Sequence, residues 1–260
     1  RGLDIGSGRI TKKEMKGIPH HLLGIASPKR RFTVSQYTKL AQKAIASVQK
    51  KNKIPFLVGG SPLYVYALTD GWVLPEVKPD AKLRKQLEKL TVEQLLKKLQ
   101  KLDPQRVKTI EQKNPRRLIR ALEIVITTKK PVPLLQKRPL PYPVLFLGIK
   151  KSPQELKKRI QKRISCMFKQ GLFREVKKMR ALGLSWNRIE EFGFEYRFIA
   201  SYMRKGSTLV TLQEELKAKI QKATQDFARR QMTWFKKDQR IRWITTVKEA
   251  GKLSHQFLLD

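Results

Sequence analysis

Arginine side chains in two predicted helices of this sequence have the chemistry needed to bind phosphate groups. Arg116, Arg117 and Arg120 fall within about one turn of an amphipathic helix in NPRRLIRALEIV, where a basic stripe is either a solvated face or an RNA-backbone contact. Arg163 lies beside the apolar stripe of another helix, so we expect its guanidinium to be partly desolvated and to need an anion. That anion is either a phosphate bound through two hydrogen bonds or an internal carboxylate. The stretch Lys157–Lys178 contains nine basic residues and a single acid, Glu175.

Ser61 follows a glycine pair in the segment LVGGSPLY, between a predicted strand and a predicted helix. Its hydroxyl either caps the helix or faces a ligand beyond the carboxyl end of the strand. Taken by itself, the segment favours capping.

The opening segment RGLDIGSGRI contains three glycines, which raises the question of a phosphate-binding loop. Such a loop needs a preceding strand and a following Lys-Ser or Lys-Thr pair, because backbone N–H groups and the lysine must converge on the anion. Neither is present, so the segment is interpreted as a turn-rich loop.

The segment FARRQMTWF combines Arg230 and Gln231 with Trp234, and Trp243 follows nearby. Aromatic rings and guanidinium planes together are suited to stacking on unpaired bases. Each tryptophan alone is more typical of a core anchor, and we predict that role for both.

The composition points to a polyanionic partner. Lys and Arg number 58 against 21 Asp and Glu, which gives a formal net charge of +37, while 40% hydrophobic residues suffice for a core. No apolar run of transmembrane length and no signal peptide is found, so nucleic acid is favoured over a membrane. The single cysteine, Cys166, excludes a disulfide framework, fits a cytoplasmic location and is predicted to be a small core residue.

The elements that must position these residues alternate between helix and strand. A helix in FTVSQYTKLAQKAIASVQKK precedes the buried strand IPFLV, and PVLFLGI and RIRWITT are further strands. Between them, residues 75–133 carry Leu and Lys at helical spacing between proline-rich ends. The pattern predicts an α/β core with an inserted helical lobe.

In their order along the chain, GLDIGSGR, PHHLLG, FTVSQY, IPFLVGGSPLY, NPRRLIRALEI, KKRIQKRISCMFKQGLFREV, EYR and ARRQMTWF resemble the tRNA dimethylallyltransferase (tRNA isopentenyltransferase) family, from Arg1 to about Trp243. The resemblance implies an α/β fold whose P-loop NTPase-like parallel sheet core, residues 1–74 and 136–260, carries an inserted helical, tRNA-gripping domain, residues 75–135. It implies transfer of a dimethylallyl group from dimethylallyl diphosphate to N6 of the adenosine next to the anticodon, with Mg²⁺ as cofactor. The implied protein is a cytoplasmic monomer that binds the tRNA anticodon stem-loop and no membrane.

Matched position by position, the resemblance implies catalytic roles for Ser61 and Arg163, with Arg163 holding the diphosphate. It implies no metal-ligating residue and leaves open the role of the pair Tyr196 and Arg197. The implied tRNA-binding residues are Gly6, Ser7, Arg9, Ser61, Arg84, Arg116, Arg117, Arg120, Arg230 and Gln231.

The sequence also departs from the family pattern. The phosphate loop and the general-base aspartate of the family lie upstream of GLDIGS and are not among these residues, so we predict that the 260-residue polypeptide binds tRNA but has no transfer activity by itself. Arg9 replaces a lysine, Gly24 stands where an aspartate is expected, and Glu195 replaces a glycine. Two alternatives stay open: a non-catalytic basic RNA-binding protein on the same scaffold, and a P-loop nucleotide kinase relative that phosphorylates a small nucleotide without contacting tRNA.

Overall fold

The computed structural model describes residues 2–204 and 209–259, with the backbone alone at residues 209–212. The chain forms two compact units. Residues Arg1–Thr69 and Leu140–Asp260 form the discontinuous unit, and residues Asp70–Pro139 form the inserted unit. The inserted unit begins and ends a few residues outside the predicted limits of 75 and 135.

The described residues contain helices and short strands in both units. In chain order the helices are α1 (Val34–Gln49), α2 (Pro62–Thr69), α3 (Ala81–Leu87), α4 (Val92–Leu102), α5 (Pro104–Thr109), α6 (Pro115–Thr128), α7 (Pro153–Gln170), α8 (Leu172–Ala181), α9 (Trp186–Glu190), α10 (Phe194–Arg204), α11 (Leu209–Phe235) and α12 (Val247–Leu259). The strands are β1 (Trp72–Val73), β2 (Gln136–Lys137), β3 (Phe146–Ile149) and β4 (Ile241–Ile244).

Strands β3 and β4 of the discontinuous unit form a parallel pair, in which Phe146 is opposite Ile241 and Gly148 is opposite Trp243. A Cβ atom on Gly148 would lie 2.7 Å from the Trp243 ring, so the glycine leaves room for the half-buried indole. The two strands predicted in PVLFLGI and RIRWITT are therefore confirmed. The protein is of the α/β class, with a small parallel sheet.

The predicted buried strand IPFLV is wrong. Residues 54–58 form no strand, and their side chains face solvent, with Phe56 78% and Val58 90% exposed. A strand needs a neighbour to satisfy its backbone N–H and C=O groups, and the described part of the chain places no strand beside this segment.

Helix α7 contains the predicted apolar stripe beside Arg163. Ser152 accepts a hydrogen bond from the Glu155 N–H at the first turn, and Gly171 ends the helix with a φ of +97°. Ile160, Ile164 and Met167 are buried, and they join side chains of α8, α9, α10 and α11 in the core of the discontinuous unit.

Cys166 was predicted to be a core residue and is exposed instead. Successive residues of a helix are rotated by about 100°, so Cys166 lies nearly opposite Ile164, which is buried. Because Ile164 occupies the buried face of the helix, Cys166 lies on the opposite, exposed face.

The inserted unit is built from α3, α4, α5 and α6, whose apolar side chains form a core of its own. Its two ends meet in the antiparallel pair of β1 and β2. At this junction the Arg138 N–H donates to the Gly71 carbonyl at 2.9 Å, and Gly71 has a φ of +57°. A Cβ atom on Gly71 would overlap the Arg138 carbonyl oxygen, so only glycine fits. In the described residues, no helix of either unit has the length and apolar character needed to cross a membrane.

Candidate functional site

The glycine-rich opening segment forms a loop whose backbone N–H groups converge on the carboxylate of Glu175 in α8. The N–H groups of Asp4 and Ile5 each donate to Glu175 Oε2 at 2.8 Å, and the Gly6 N–H donates to Oε1 at 3.1 Å. The Tyr196 hydroxyl also donates to Oε1, at 2.8 Å. The anion held by this loop is therefore an internal carboxylate, as expected for a structural turn and not for a phosphate-binding loop.

Glu175 was not among the predicted site residues. Its hydrogen-bond partners in the loop are 169 to 171 residues away in sequence, a separation that no local pattern reveals. The one available signal was its position as the single acid in the basic stretch Lys157–Lys178.

The loop packs closely on Tyr196. A Cβ atom on Gly6 would lie 2.6 Å from a carbon of the Tyr196 ring and 2.9 Å from Leu172, so no larger side chain fits. Tyr196 is 1% exposed, and burial, followed by the neighbouring Glu175 carboxylate, raises the pKa of its hydroxyl well above the ordinary range. The hydroxyl therefore stays protonated and remains a hydrogen-bond donor.

Arg163 of α7 lies over the backbone of Gly8, whose φ is +63° and which has no Cβ atom to obstruct the guanidinium. Arg163 is exposed as a residue while its guanidinium packs against Gly8, and its partial desolvation stays a prediction. Among the described residues it makes no hydrogen bond or ion pair, which leaves its donors available to an incoming anion. Burial raises the pKa of Glu195 in α10, and the charge of Arg163 partly counters this effect.

Ser7 and Arg9 make contacts within the same loop. The Ser7 hydroxyl donates to the carbonyls of Leu3 and Asp4, and Arg9 Nε is paired with Asp4 Oδ1 at 3.0 Å. Gly24 has a φ of +60°, and a Cβ atom there would lie 2.5 Å from Arg9 Nη1. At the position where the resemblance expects an aspartate, glycine thus allows Arg9 to approach the backbone.

Ser61 immediately precedes α2 and is exposed. Its carbonyl accepts the N–H groups of Tyr64 and Val65 at 3.0 and 3.1 Å, so the backbone caps the helix. Within the described residues its hydroxyl makes no hydrogen bond, which differs from the side-chain capping favoured by the sequence. Gln231 of α11 donates from Nε2 to the Gly60 carbonyl at 2.5 Å and so fixes the turn that carries Ser61.

Arg230 and the two tryptophans lie at or beyond the end of α11. Arg230 is exposed, with its guanidinium 5.9 Å from the centre of the Phe227 ring. Trp234 is 51% exposed, so its predicted core role is wrong, whereas Trp243 is half-buried against Gly148. The exposed indole and guanidinium could both reach a ligand.

Arg84 and Arg120 of the inserted unit bind the carboxylate of Glu123, which is fully buried. Arg84 makes two hydrogen bonds to it, at 2.8 and 2.7 Å, and Arg120 makes one at 2.5 Å. The Asp80 N–H donates to the same carboxylate at 2.8 Å, and Arg120 also donates to the Val77 carbonyl at 3.0 Å. Burial opposes the ionisation of Glu123, but the hydrogen bonds from both arginines outweigh it and lower its pKa.

Arg84 and Arg120 thus hold the inserted unit together, and their contact with tRNA stays a prediction. Arg116 and Arg117, on the same helix as Arg120, are exposed. Arg117 is 3.3 Å from Glu111 in a solvent-exposed ion pair, and Arg116 has no polar side-chain partner among the described residues. These two arginines are the part of the predicted stripe that is free to contact a ligand.

The predicted site residues fall into three groups. Gly6, Ser7 and Arg9 lie in the opening loop, and Arg163 contacts that loop at Gly8. Ser61 and Gln231 are brought together by α2 and α11, and Arg230 precedes Gln231 on α11. Helix α11 also packs against α7, which carries Arg163. The third group belongs to the inserted unit and consists of Arg84, Arg116, Arg117 and Arg120.

The described residues do not supply a protein cage for Mg²⁺. They contain no cluster of three or more His, Cys, Asp or Glu side chains arranged to hold a metal ion. Both oxygens of Glu175 already accept two hydrogen bonds each, and Glu195 faces the Arg163 charge. The participation of Mg²⁺ therefore stays a prediction.

Comparison with known proteins gives consistent matches. The sequence model of the family described as "IPP transferase" matches residues 1–238. The tRNA dimethylallyltransferase of Halothermothrix orenii is 32% identical over 276 residues, covering 100% of this chain and 83% of the relative. The tRNA dimethylallyltransferase of Thermomicrobium roseum is 34% identical over 248 residues, covering 94% of this chain and 74% of the relative.

Two solved structures are also similar. The full-length tRNA isopentenylpyrophosphate transferase from Bacillus halodurans superposes with a TM-score of 0.68 at 31% identity, covering 100% of this chain and 83% of that one. A eukaryotic dimethylallyltransferase acting on tRNA gives a TM-score of 0.74 at 20% identity, over 100% of this chain and 68% of that one, a likeness of fold alone.

Proposed function

The chain belongs to the IPP transferase family, and on that premise we propose that it transfers a dimethylallyl group from dimethylallyl diphosphate to N6 of the adenosine next to the anticodon in tRNA. One observation carries the proposal. The exposed Arg163, whose guanidinium makes no hydrogen bond or ion pair among the described residues, contacts Gly8 in the loop that bears Gly6, Ser7 and Arg9. A cation suited to diphosphate thus lies beside residues expected to face RNA.

Arg163 would assist the departure of diphosphate. Adenine N6 is a weak nucleophile, so the transition state must be stabilised where negative charge develops on the leaving group. As the bond from C1 of the dimethylallyl group to oxygen breaks, its electron pair leaves with diphosphate, C1 bonds to N6, and N6 gives up one proton to the departing diphosphate or to water. A guanidinium donates two parallel hydrogen bonds to phosphate oxygens, which suits Arg163 to this role.

Ser61 is proposed to contact the reacting groups from the start of α2. Its free hydroxyl is exposed, and the hydrogen bond from Gln231 to Gly60 holds the turn in place. Replacement of Gln231 would therefore remove this hydrogen bond and displace Ser61. Both residues are expected near the RNA.

The RNA would bind through exposed cations and a flipped base. An adenine stacked in an anticodon loop cannot reach a protein site unless it is extruded, which suits recognition of a single-stranded loop. Arg116 and Arg117 of the inserted unit and Arg230 of α11 are exposed and suited to phosphate contacts. The described residues offer no cluster of metal ligands, so any Mg²⁺ would have to be held mainly by the diphosphate oxygens, whose charge it would help to neutralise.

The test combines RNA binding, pyrophosphate binding and product analysis. The 260-residue chain is incubated with an anticodon stem-loop RNA and dimethylallyl diphosphate, and the RNA is digested and searched for N6-dimethylallyl adenosine by mass spectrometry. Binding of inorganic pyrophosphate is measured by calorimetry for the wild type and for Arg163→Ala, with Arg159→Ala as the matched control on the same helix. Arg159 is exposed and pairs with Glu155. We expect Arg163→Ala to weaken pyrophosphate binding about tenfold, since it removes a charge-assisted pair, and Arg159→Ala to leave it unchanged.

Each outcome separates the alternatives. Transfer by these 260 residues would support the enzyme and contradict the prediction that they are inactive alone. RNA binding without pyrophosphate binding would favour the non-catalytic RNA-binding protein. Phosphorylation of a small nucleotide without RNA binding would favour the nucleotide kinase relative.

A further inference from the structure

We propose that Glu175 is a positioning residue for the RNA side of the site, because its carboxylate is the internal anion that holds the opening loop, residues 4–9, in shape. The inference rests on the proposed function in one respect, namely that this loop faces RNA. The role of Tyr196, which the sequence left open, follows from the same contacts.

Three successive backbone N–H groups of the loop, those of Asp4, Ile5 and Gly6, donate to Glu175. The Tyr196 hydroxyl donates to the same carboxylate. Consecutive N–H groups that point to one side form a concave anion site. Here the anion is covalently part of α8, so the concavity binds the protein itself.

Only a carboxylate satisfies this arrangement. Each oxygen of Glu175 accepts two hydrogen bonds, one oxygen from Asp4 and Ile5 and the other from Gly6 and Tyr196. A glutamine would present its one oxygen to one pair of donors and its NH₂ group to the other pair. An NH₂ group that faces donors leaves polar groups without a hydrogen bond. The chemistry therefore selects Glu over its isosteric amide.

The loop depends on this anchor for its shape. Its own turn is closed by hydrogen bonds from Gly8 to Ile5 and from Arg9 to Asp4, each 2.9 Å. Those bonds lie within the loop, whereas the bonds to Glu175 connect it to a helix about 170 residues away in sequence. Loss of the hydrogen bonds to Glu175 would displace the predicted RNA contacts of the loop. It would also move Gly8 away from Arg163.

The experiment compares four variants of the full 260-residue chain. Glu175→Gln replaces one of the two acceptor oxygens with an NH₂ group, and Tyr196→Phe removes one donor while keeping the buried ring. Val176→Ala is a control on the same helix for weakened core packing, since Val176 is fully buried. Glu215→Gln is a control for the change of charge, since Glu215 pairs with Lys219 in solvent. Hydrogen exchange is measured by mass spectrometry at residues 4–6, and affinity is measured with a fluorescent anticodon stem-loop RNA as a function of salt.

We expect Glu175→Gln to speed exchange at residues 4–6 and to weaken RNA binding about tenfold, since unsatisfied donors in a partly buried nest cost about one order of magnitude in an equilibrium constant. Tyr196→Phe should act in the same direction and less, which keeps the proposal testable if Glu175→Gln fails to fold. Val176→Ala should lower the melting temperature and leave both loop exchange and RNA affinity unchanged. Glu215→Gln should change neither.

Unchanged hydrogen exchange at residues 4–6 in Glu175→Gln and Tyr196→Phe would overturn the inference that Glu175 holds the loop. Faster exchange with unchanged RNA affinity would overturn the positioning role. Equal losses of RNA affinity in Glu175→Gln and Val176→Ala would show that Glu175 acts only through overall stability, which would also overturn its positioning role. Absence of RNA binding by the wild type would instead refute the proposed function, and the exchange measurement would still decide whether Glu175 holds the loop.

Discussion

Glu123 in the inserted unit and Glu175 in the discontinuous unit both organise residues that the sequence assigned to tRNA binding, but they hold opposite kinds of partner. Glu123 is fully buried and binds the cations of Arg84 and Arg120. Glu175 is half-buried and binds neutral dipoles, namely three backbone N–H groups and a tyrosine hydroxyl.

The difference decides which positive charges are available to a ligand. In the inserted unit, the buried carboxylate of Glu123 neutralises Arg84 and Arg120, whose donors are occupied by hydrogen bonds within the protein. In the discontinuous unit the carboxylate is satisfied without any cation, so Arg163 keeps its donors exposed beside the loop. A count of basic residues therefore overstates the charge offered to a polyanion.

The largest effect is expected from removal of the buried carboxylate. Glu123→Ala should lower the free energy of unfolding of the inserted unit by about 3 kcal/mol, because two partly buried guanidinium groups would be left without their counterion. Urea denaturation followed by circular dichroism measures it. The matched control is Glu111→Gln, whose partner Arg117 is 54% exposed, and a change of under about 0.5 kcal/mol is expected there. Equal effects in the two variants would contradict the distinction between arginines that stabilise the fold and arginines that are available to a ligand.

An intermediate effect is expected at the contact between the loop and Tyr196. Gly6→Ala should destabilise the protein by about 2 kcal/mol, because its Cβ atom would lie 2.6 Å from the buried ring and force the loop outward. RNA affinity should fall with it. Gly251→Ala is the control, since it lies within α12 with no atom within 4 Å of an added Cβ, and it should stabilise by about 0.5 kcal/mol. Melting temperatures of the three proteins compare them directly.

The smallest effect on stability, and the most specific effect on binding, is expected at the exposed arginines. Replacing both Arg116 and Arg117 with alanine should leave the melting temperature nearly unchanged. It should reduce the slope of log affinity against log salt by about 0.7 for each single-strand phosphate that the variant no longer neutralises. Arg120→Ala should instead lower the melting temperature, since it removes a bond to Glu123. A salt slope that the double variant leaves intact would place the RNA elsewhere.

Local patterns predicted a good part of the fold. The buried stripe of α7 and the strands in PVLFLGI and RIRWITT were correctly predicted, since their apolar spacing is recorded in neighbouring residues. The segment IPFLV has an equally apolar pattern and forms no strand, because strand formation depends on a partner strand that the segment does not encode. Cys166 was assigned to the core from its residue type, and the helical period of its own helix contradicts this.

The sequence named candidate site residues, and the structure shows which of them keep unpaired polar groups. The ordered motifs identified the family, which the comparisons confirm, and they named Arg163 and Ser61 as candidates. Their exposed, unengaged polar groups are findings of the structure. Likewise, the local pattern NPRRLIRALEIV does not distinguish Arg120, which binds the buried Glu123, from Arg116, which has no polar side-chain partner among the described residues.

The sequence by itself determined the family, the α/β class, the helical nature of the inserted unit and the excess of positive charge, because each is carried by composition or by short-range order. Only the tertiary structure decided which charges are neutralised inside the protein and which anion the opening loop binds. The physical reason is distance along the chain: Glu123 meets Arg84 across 39 residues, and Glu175 meets the loop across about 170. Hydrogen bonds between groups so far apart are chosen by folding, and the glycine-rich segment that could have cradled a phosphate holds a carboxylate of its own chain.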